Sequence, residues 1–251
     1  MSSSIRGTTT LVGLLGWPTS HSLSPPMHNA AFAALGLDWA YVPLPAAPGR
    51  LAEAVRGLVA TGFAGANVTI PHKQAVIGLC DVLDDVARLA CSVNTLVIRD
   101  GTVLGTSTDG AAVTGQLAPA GANALVLGAG GSARAVASAL TVAGATRVEV
   151  CSRRDSGWPP DGKGIDVLVN CTPVKDELIV SPRAEMQVAD LAYHPDGRET
   201  VLVQAARAAG CTVVDGLDVL LAQGAASFER WTGTAAPIDV MRAALRPAAG
   251  G

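Results

Sequence analysis

The chain has 251 residues, of which 16% are charged and 49% hydrophobic, and its formal net charge is −3 at pH 7. This length and composition can supply the core of one large domain or two smaller ones, and they exclude a disordered protein. The charge is nearly balanced and no basic block stands out, which argues against nucleic acid as the main partner.

Cysteine and histidine usage gives no sign of a disulfide framework or a metal site. The five cysteines are odd in number and scattered, and the four histidines lack metal-ligand spacing. No apolar run approaches the length of a membrane span, and the first residues lack the apolar core of a signal peptide. We therefore expect a cytoplasmic protein with no metal and no membrane partner.

The first half of the chain alternates predicted strands and helices, which is typical of a largely parallel sheet. An Asp100-Gly101 pair between two apolar runs also predicts a β-hairpin. The predicted strands cover 10–16, 39–44, 63–70, 93–98 and 102–105, and the predicted helices cover 25–35, 50–61, 72–79 and 111–117.

The segment Asn-Val-Thr-Ile-Pro-His-Lys, residues 67–73, is the strongest candidate for chemistry. Asn67 and Thr69 place hydrogen-bonding groups at the end of a predicted strand, which Pro71 ends because it has no N–H. Lys73 stands where the next helix is predicted to begin. The positive end of a helix dipole favours a neutral amine, which can give or take a proton. The alternative is an ordinary solvated lysine.

Four further polar residues have two open interpretations each. Ser24 can cap the helix that starts at Pro25, but Ser22 and Ser24 together can also cradle a carboxylate. Asp109 can be the N-cap of the helix that follows it, and Asn94 can form a turn before a strand. For each of these residues, the alternative to the ordinary structural role is a role in a polar binding site.

The second half of the chain begins with the pattern of a dinucleotide-binding turn. A predicted strand, 124–127, is followed by Gly128-Ala129-Gly130-Gly131-Ser132-Ala133 and then by a predicted helix, 134–143. This strand–turn–helix context fits the Gly-x-Gly-x-x-Ala fingerprint, whose glycines let backbone N–H groups approach a pyrophosphate.

The next predicted strand, 147–151, ends in Ser152-Arg153-Arg154, where an acidic residue would select NAD. Two guanidinium groups favour a 2′-phosphate instead, so the sequence predicts NADP. The remaining predicted strands cover 165–171, 188–193 and 211–214, and the remaining helices cover 199–210, 219–231 and 237–245, before an Ala/Gly tail that is expected to fray.

Taken together, these motifs resemble the shikimate dehydrogenase family over residues 11–245. The resemblance rests on Ser22-Leu-Ser24-Pro, residues 67–73, Val93-Asn94-Thr, Thr108-Asp109-Gly, Gly128-Ala-Gly-Gly-Ser132, Tyr193-His-Pro and Gln223-Gly-Ala. It implies an α/β fold of two domains with the active site in the cleft. These are a substrate domain, 1–110 with 224–251, and a truncated Rossmann-like NADP domain, 111–223.

The resemblance also implies a role for each matching residue. Lys73 and Asp109 match a catalytic pair, in which Asp109 keeps the ammonium charged while Lys73 protonates the oxygen of 3-dehydroshikimate as hydride arrives. The substrate positions are Ser22 and Ser24, for the carboxylate, with Asn67, Thr69, Asn94, Tyr193 and Gln223. The cofactor positions are Gly128, Ala129, Gly130, Gly131, Ser132, Ser152, Arg153, Arg154, Thr172, Leu191 and Gly216. No metal is implied, and the assembly is a monomer or a homodimer.

The chain departs from the family pattern in the NADP half and once beside the site. Ser107 stands where the family usually has Asn, and Lys175-Asp176 replaces Gly-Met. Two alternatives follow. The substrate can be quinate or an amino analogue, or the chain can be a shikimate-binding relative that no longer binds the cofactor well and serves as a sensor or partner protein.

The largest departure is a short connection after Arg154. Only ten residues separate it from Ile165, and they include three glycines and two prolines, so no helix fits there. Ten extended residues reach about 33 Å, more than the roughly 20 Å diagonal between the ends of strands two positions apart. We therefore predict a truncated parallel sheet in which a plain loop makes the crossing.

Overall fold

The fold is known from a computed structural model that describes residues 5–245. The chain forms two compact units. Unit 1 contains the residues up to Thr108 and those from Leu221 onward, and unit 2 contains Asp109–Leu220. No helix within the described residues is long and apolar enough to cross a membrane. The same residues contain no group of three or more His, Cys, Asp or Glu side chains placed to hold a metal ion.

Unit 1 is a mixed six-stranded sheet with helices. Its elements are β1 (Thr10–Gly16), α1 (Ser24–Ala34), β2 (Trp39–Pro45), α2 (Leu51–Ala60), β3 (Gly65–Val68), β4 (Val82–Leu83), α3 (Asp85–Ala90), β5 (Thr95–Arg99) and β6 (Thr102–Thr106). The strand order is β2-β1-β3-β5-β6-β4. The strands β1, β2 and β3 are parallel, whereas β5 is antiparallel to β3 and β6. The predicted hairpin is present, with Asp100 and Gly101 at φ 50° and 77°.

Helix α2 shows how the sequence builds the core of unit 1. Leu51, Val55 and Leu58 are spaced by four and three residues, so they share one helix face. All three are buried in a cluster that also contains Leu15 of β1 and Val68 of β3. Complete burial of a leucine or valine side chain contributes about 1.5–3 kcal/mol, so this face anchors the helix to the sheet.

Unit 2 is a five-stranded parallel sheet with helices. Its elements are α4 (Asp109–Thr114), β7 (Asn123–Leu127), α5 (Gly131–Val142), β8 (Arg147–Cys151), β9 (Val167–Asn170), β10 (Gln187–Asp190), α6 (Val201–Ala208) and β11 (Thr212–Val214). The helix α7 (Gly216–Thr232) crosses the boundary between the units in sequence, and α8 (Ile238–Leu245) ends the described chain. The strand order is β11-β10-β9-β7-β8, with every neighbouring pair parallel.

The truncated sheet is confirmed. The described chain has neither helix nor strand between Cys151 and Val167, and β9 pairs with β7 on the side opposite β8. The loop therefore crosses two strand positions, as predicted. Trp158 of this loop packs against the apolar cluster that contains Leu125 and Leu168, so a single loop residue covers part of the sheet face.

Several predicted boundaries were wrong. The helix at 72–79 is a 3-10 helix that spans only Ala75–Leu79. The helix after the glycine turn begins at Gly131 rather than at residue 134. The sequence analysis also missed β4 and α3, which are too short to show a hydrophobic period; the Asp84 side chain caps α3 by accepting from the Ala87 N–H at 2.8 Å. The predicted frayed tail lies outside the described residues.

Candidate active site

Asn94 is a buried hydrogen-bonding centre in unit 1. Its Oδ1 accepts from the Thr108 N–H at 2.8 Å, and its Nδ2 donates to Thr108 Oγ1 at 2.9 Å and to Gln223 Oε1 at 3.4 Å. Thr108 Oγ1 also donates to the Gln223 carbonyl at 3.1 Å. Asn94 therefore joins the start of β5, the segment before α4, and α7, which is far more than a turn former requires.

Asn67, at the end region of β3, is held on all sides by protein groups. Tyr41 Oη donates to its Oδ1 at 3.0 Å. Its Nδ2 lies within hydrogen-bond distance of the Asn94 carbonyl, Thr95 Oγ1 and Ser227 Oγ, at 3.3, 3.2 and 2.9 Å. This environment favours a role in positioning Asn94; the substrate contact predicted for Asn67 stays a prediction.

The Lys73 segment is fixed by its neighbours rather than by a helix. The ring of the buried residue His72 donates from Nε2 to the Ala46 carbonyl at 2.8 Å. The Lys73 carbonyl accepts from the Val93 N–H at 2.8 Å, and its side chain is half-buried. Because the 3-10 helix starts only at Ala75, the expected effect of an α-helix dipole on Lys73 was wrong.

Asp109 is the first residue of α4 and is 4% exposed. The position before the helix belongs to Thr108, so Asp109 is not the N-cap. Thr108 is bonded to Asn94, and Asn94 follows Val93, whose N–H is bonded to the Lys73 carbonyl. A short series of backbone and amide contacts thus leads from Lys73 to the residue that precedes Asp109.

The two serines before α1 contact each other. Ser22 Oγ donates to Ser24 Oγ at 3.2 Å, and Ser24 is 4% exposed. The helix begins at Ser24, after Leu23, and its first N–H, that of Ser24, donates to Ser22 Oγ at 3.2 Å, so the capping role of Ser24 was wrong. The paired hydroxyls remain candidates for binding a carboxylate. Thr69 is half-buried beside Gly16, where an added Cβ would stand 2.3 Å from Thr69 Cγ2, so a side chain at position 16 would displace Thr69.

An aromatic cluster in unit 1 encloses His28, which is completely buried. Its ring stacks on Tyr41, with centroids 4.5 Å apart and planes at 6°, and it also faces Trp231 at 5.4 Å and Phe228 at 6.4 Å. Neither ring nitrogen has a hydrogen-bond partner among residues 5–245. Burial lowers the pKa of His28 from 6.5 to about 3 because the charged form would lose its solvation.

The protein should therefore be less stable in acid, and His28→Phe should reduce that loss. A folded-state pKa below the unfolded value gives a stability that is complete above pH 6.5 and falls as the pH drops toward 3. At pH 5 the loss is about 2 kcal/mol, at 1.36 kcal/mol per pH unit. Urea unfolding at pH 7 and pH 5 measures it. The same substitution at the exposed residue His21 is the control, and equal acid sensitivity in both variants would exclude the effect.

The glycine turn of unit 2 has the shape that a pyrophosphate requires. Gly128 has φ 117°, and an added Cβ would stand 3.2 Å from the Cys171 carbonyl, so a side chain is excluded there. Gly130 precedes α5, and no side chain caps the helix. Ala129 and Gly130 are exposed, so the first N–H groups of α5 can receive an anion, with Gly131 and Ser132 in the first turn.

The turn after β8 presents two arginines. The Asp155 carboxylate accepts from the Ser152 N–H at 2.7 Å and from its Oγ at 3.1 Å, which fixes the turn. Arg153 and Arg154 are exposed, and no ion pair of either one is found within residues 5–245. Both guanidinium groups are therefore available to a phosphate, and the residues present fit NADP.

A buried carboxylate that the sequence analysis missed connects two loops of unit 2. Asp190, at the end of β10, accepts from Asn170 Nδ2 at 2.8 Å and from Thr200 Oγ1 at 2.5 Å. Asn170 Oδ1 in turn accepts from Thr172 Oγ1 at 2.7 Å. Burial raises the pKa of Asp190 to about 6, although these hydrogen bonds oppose the shift. The sequence did carry a signal for this buried carboxylate, since Asp190 directly follows the apolar residues Val188 and Ala189.

The other predicted residues of unit 2 follow β10 and β11. The Leu191 N–H donates to the Asn170 carbonyl at 2.9 Å, and Tyr193 is half-buried. Gly216 begins α7, where an added Cβ would stand 2.3 Å from the Ala192 carbonyl. Parallel strands that end at one edge bring these loops toward the edge that carries the glycine turn.

Two departures from the family pattern also have a structural setting. Ser107 is 2% exposed, and its Oγ has no hydrogen-bond partner in the part of the chain that the structure describes, so the shorter side chain leaves a buried hydroxyl in the polar region of unit 1. Asp176 accepts from Arg198 Nη1 at 2.9 Å and lies 3.5 Å from His194 Nε2. Asp176 therefore fastens the loop after β9 to the loop after β10.

The parallel sheet of unit 2, with a glycine turn between its first strand and the following helix, defines an α/β protein of the dinucleotide-binding class. Two family models match the chain. Residues 14–96 match the shikimate dehydrogenase substrate binding domain, and residues 216–246 match the shikimate 5'-dehydrogenase C-terminal domain.

Relatives are similar along nearly the whole chain. The shikimate dehydrogenase (NADP(+)) of Rubrobacter xylanophilus is 42% identical, over 96% of this chain and 97% of that protein. That of Moorella thermoacetica is 41% identical, over 98% and 96%. The crystal structure of shikimate 5-dehydrogenase from Thermus thermophilus in complex with NADP(H) and shikimate has a TM-score of 0.83 and 32% identity, over 95% of this chain and 99% of that one. The chain belongs to the shikimate dehydrogenase family.

Proposed function

We propose that this protein is an NADP-dependent oxidoreductase that reversibly reduces 3-dehydroshikimate to shikimate, with Lys73 and Asp109 as its acid–base pair. The observation that carries the proposal is the series of contacts from Lys73 through Val93 and Asn94 to Thr108, the residue before Asp109. These contacts fix the backbone at Lys73 and at the residue that precedes Asp109. The names of the relatives described above specify shikimate as the substrate and NADP(+) as the cofactor.

The pair has the chemistry that a ketone reduction requires. When bound, the reduced nicotinamide supplies the hydride. Lys73 then gives a proton from Nζ to the substrate oxygen, and in the reverse direction it takes that proton back. The role proposed for the Asp109 carboxylate is to orient the Lys73 side chain toward that oxygen.

The substrate contacts are proposed for side chains that the structure brings to unit 1. The paired hydroxyls of Ser22 and Ser24 would hold the carboxylate, and Thr69, Asn94 and Gln223 would bind the ring hydroxyls. Support comes from the direct contact of Asn94 with Gln223 and of the two serines with each other. Tyr193 is proposed as a further substrate contact from unit 2.

The cofactor contacts are proposed for unit 2, which makes it the NADP domain and unit 1 the substrate domain. The glycine turn would hold the pyrophosphate, and Ser152, Arg153 and Arg154 would hold the 2′-phosphate. The residues that follow β9, β10 and β11 would border the nicotinamide; they are Thr172, Leu191 and Gly216. Support comes from the open N-terminus of α5 and from the network that fixes Thr172 on Asn170.

We also propose that the protein works in the cytoplasm, as a monomer or as a homodimer. Within residues 5–245, which include all five cysteines, no disulfide is formed. Disulfides are rare in reducing compartments, so five cysteines outside disulfides are the usage expected there.

The proposal is tested by absorbance at the reduced-nicotinamide band, with shikimate and quinate each combined with NADP and with NAD. Turnover with shikimate and NADP above the other three combinations is the expected result. Turnover only with quinate would replace the substrate. Binding of shikimate without any nicotinamide reduction would replace the enzyme by a binding protein.

We expect NADP to bind more weakly than is usual in the family. The alignment with the Rubrobacter xylanophilus protein runs over 279 positions, against 251 residues in this chain, so that protein has residues with no counterpart here. In this chain the connection between β8 and β9 is a loop where the family resemblance implies a helix and a strand, so one wall of the proposed adenine site is expected to be thin. Calorimetry on both proteins in the same buffer measures the difference. A dissociation constant in the low micromolar range or below would contradict the expectation.

A further inference from the structure

The strand β8 is an open edge of the sheet in unit 2. It pairs with β7 on one side, and within the described residues no strand pairs with its other side. Its Arg147 and Glu149 side chains are 69% and 41% exposed, and Val150 is 45% exposed. An edge strand with unpaired N–H and C=O groups is a template for pairing with another strand.

The free backbone groups of this edge can be assigned. The Cys151 carbonyl accepts from the Gly128 N–H at 2.8 Å, so it points toward the β7 side. The polar groups of successive strand residues point alternately to the two sides, so those of Glu149 also face β7. The N–H and C=O groups of Val148 and Val150 therefore point outward.

We propose that a second copy of this chain pairs with β8 in the antiparallel direction, about a two-fold axis through Val148. In this register Val148 and the partner's Val148 exchange two backbone hydrogen bonds. Arg147 then stands opposite the partner's Glu149, and Glu149 stands opposite the partner's Arg147. The two parallel sheets become one continuous sheet.

The order of the charged residues along β8 favours this register and favours a second copy of the same chain as the partner. Arg147 and Glu149 lie on the same face of the strand, where Arg147 Nη2 contacts Glu149 Oε2 at 2.8 Å. Pairing shifted by one step of two residues would place Glu149 opposite the partner's Glu149, and like charges directly opposite are destabilising. The favoured register places opposite charges in both non-hydrogen-bonded pairs, where side chains are closest. The order Arg-Val-Glu is thus complementary to itself under a two-fold axis.

The expected dimer is weak. Pairing of two five-residue strands buries less than the roughly 1,200 Å² of a stable interface, so the dimer should dissociate on dilution. The cross-strand ion pairs are exposed, so salt should weaken the dimer further. Sedimentation equilibrium over about 1–100 µM covers the range in which such an interface dissociates. The average mass should rise from 25.3 kDa toward twice that value.

Charge reversal tests the register directly. Arg147→Glu and Glu149→Arg each create two like-charge pairs, and each should raise the dimer dissociation constant about tenfold or more. Mixing these two variants restores opposite charges in both pairs, so the mixture should form a heterodimer. The same reversals at the exposed pair Arg50 and Glu53 are matched controls, and they should leave the dimer unchanged.

Restored association on mixing would support the proposal even if either variant alone were destabilised. A wild-type protein that stays at the mass of one chain over the whole range would overturn it. A dimer that persists in both single variants would also overturn it, as would a mixture of folded variants that fails to associate. Far-ultraviolet circular dichroism confirms that each variant is folded.

Discussion

Replacing Lys73 by Ala should lower kcat by about 10²–10⁴ while shikimate continues to bind. Lys73 is the only lysine in residues 1–110 or after residue 220, so no second ammonium of unit 1 can substitute for it. The bond from the Val93 N–H to the Lys73 carbonyl and the bond of the His72 ring both hold this segment without the Lys73 side chain, so both survive its truncation. Loss of turnover should therefore report lost proton transfer rather than lost folding.

The measurement is steady-state kinetics together with calorimetric binding of shikimate. Lys163→Ala is the control, since Lys163 is an exposed lysine of the loop after β8 whose Nζ lies 3.5 Å from Asp161 Oδ2. A Lys73→Ala variant that kept more than about a tenth of the wild-type kcat would remove this residue from the acid–base step, because the expected loss is at least tenfold larger. Loss of shikimate binding in the same variant would make Lys73 a binding residue instead.

The truncated sheet could be derived from the sequence because the length of the connecting segment alone decides what it can form and how far it can extend. Ten residues rich in glycine and proline cannot form a helix and a strand, but they can span two strand positions. Trp158 could not be placed in advance, since its packing against the sheet depends on where the loop crosses. The length of the connection thus determined the topology, whereas tertiary packing determined which loop residue covers the face of the sheet.

Candidate site residues were found where a polar side chain stands beside a strand end, as with Asn94 and Asp109. Their surroundings were not readable, because the partners of Asn94 come from positions 14 and 129 residues away in the chain. The α-helix predicted to begin near Lys73 is absent for a local reason. The chain forms a 3-10 helix there, and hydrophobic periodicity cannot distinguish a short 3-10 helix from an α-helix.

Buried polar groups were the least readable part of the molecule. Nothing local distinguishes His28 from a surface histidine on a helix, since its environment is made by aromatic residues up to position 231. Asp190 carried a better signal, because an acidic residue at the end of an apolar strand needs hydrogen-bond donors when it is buried. Asn170 and Thr200 supply those donors.

Replacing both Arg153 and Arg154 by Ala should remove most of the preference for NADP over NAD. The two cofactors differ by the 2′-phosphate, so only contacts to that group can separate them. A charge-assisted hydrogen bond contributes about 1.5–3 kcal/mol, and both side chains are exposed to solvent, so the lower value applies to each. Two such contacts give about 3 kcal/mol, which is about a hundredfold in kcat/KM.

The expected result is a hundredfold fall in kcat/KM for NADP with little change for NAD, each measured with saturating shikimate. The turn itself should survive, because Asp155 fixes it through Ser152 and neither arginine side chain takes part in those bonds. Arg50→Ala with Arg56→Ala, two exposed arginines of unit 1, is the matched control for lost positive charge. Equal kcat/KM for NAD and NADP in the unmodified protein would show that the two arginines do not select the cofactor.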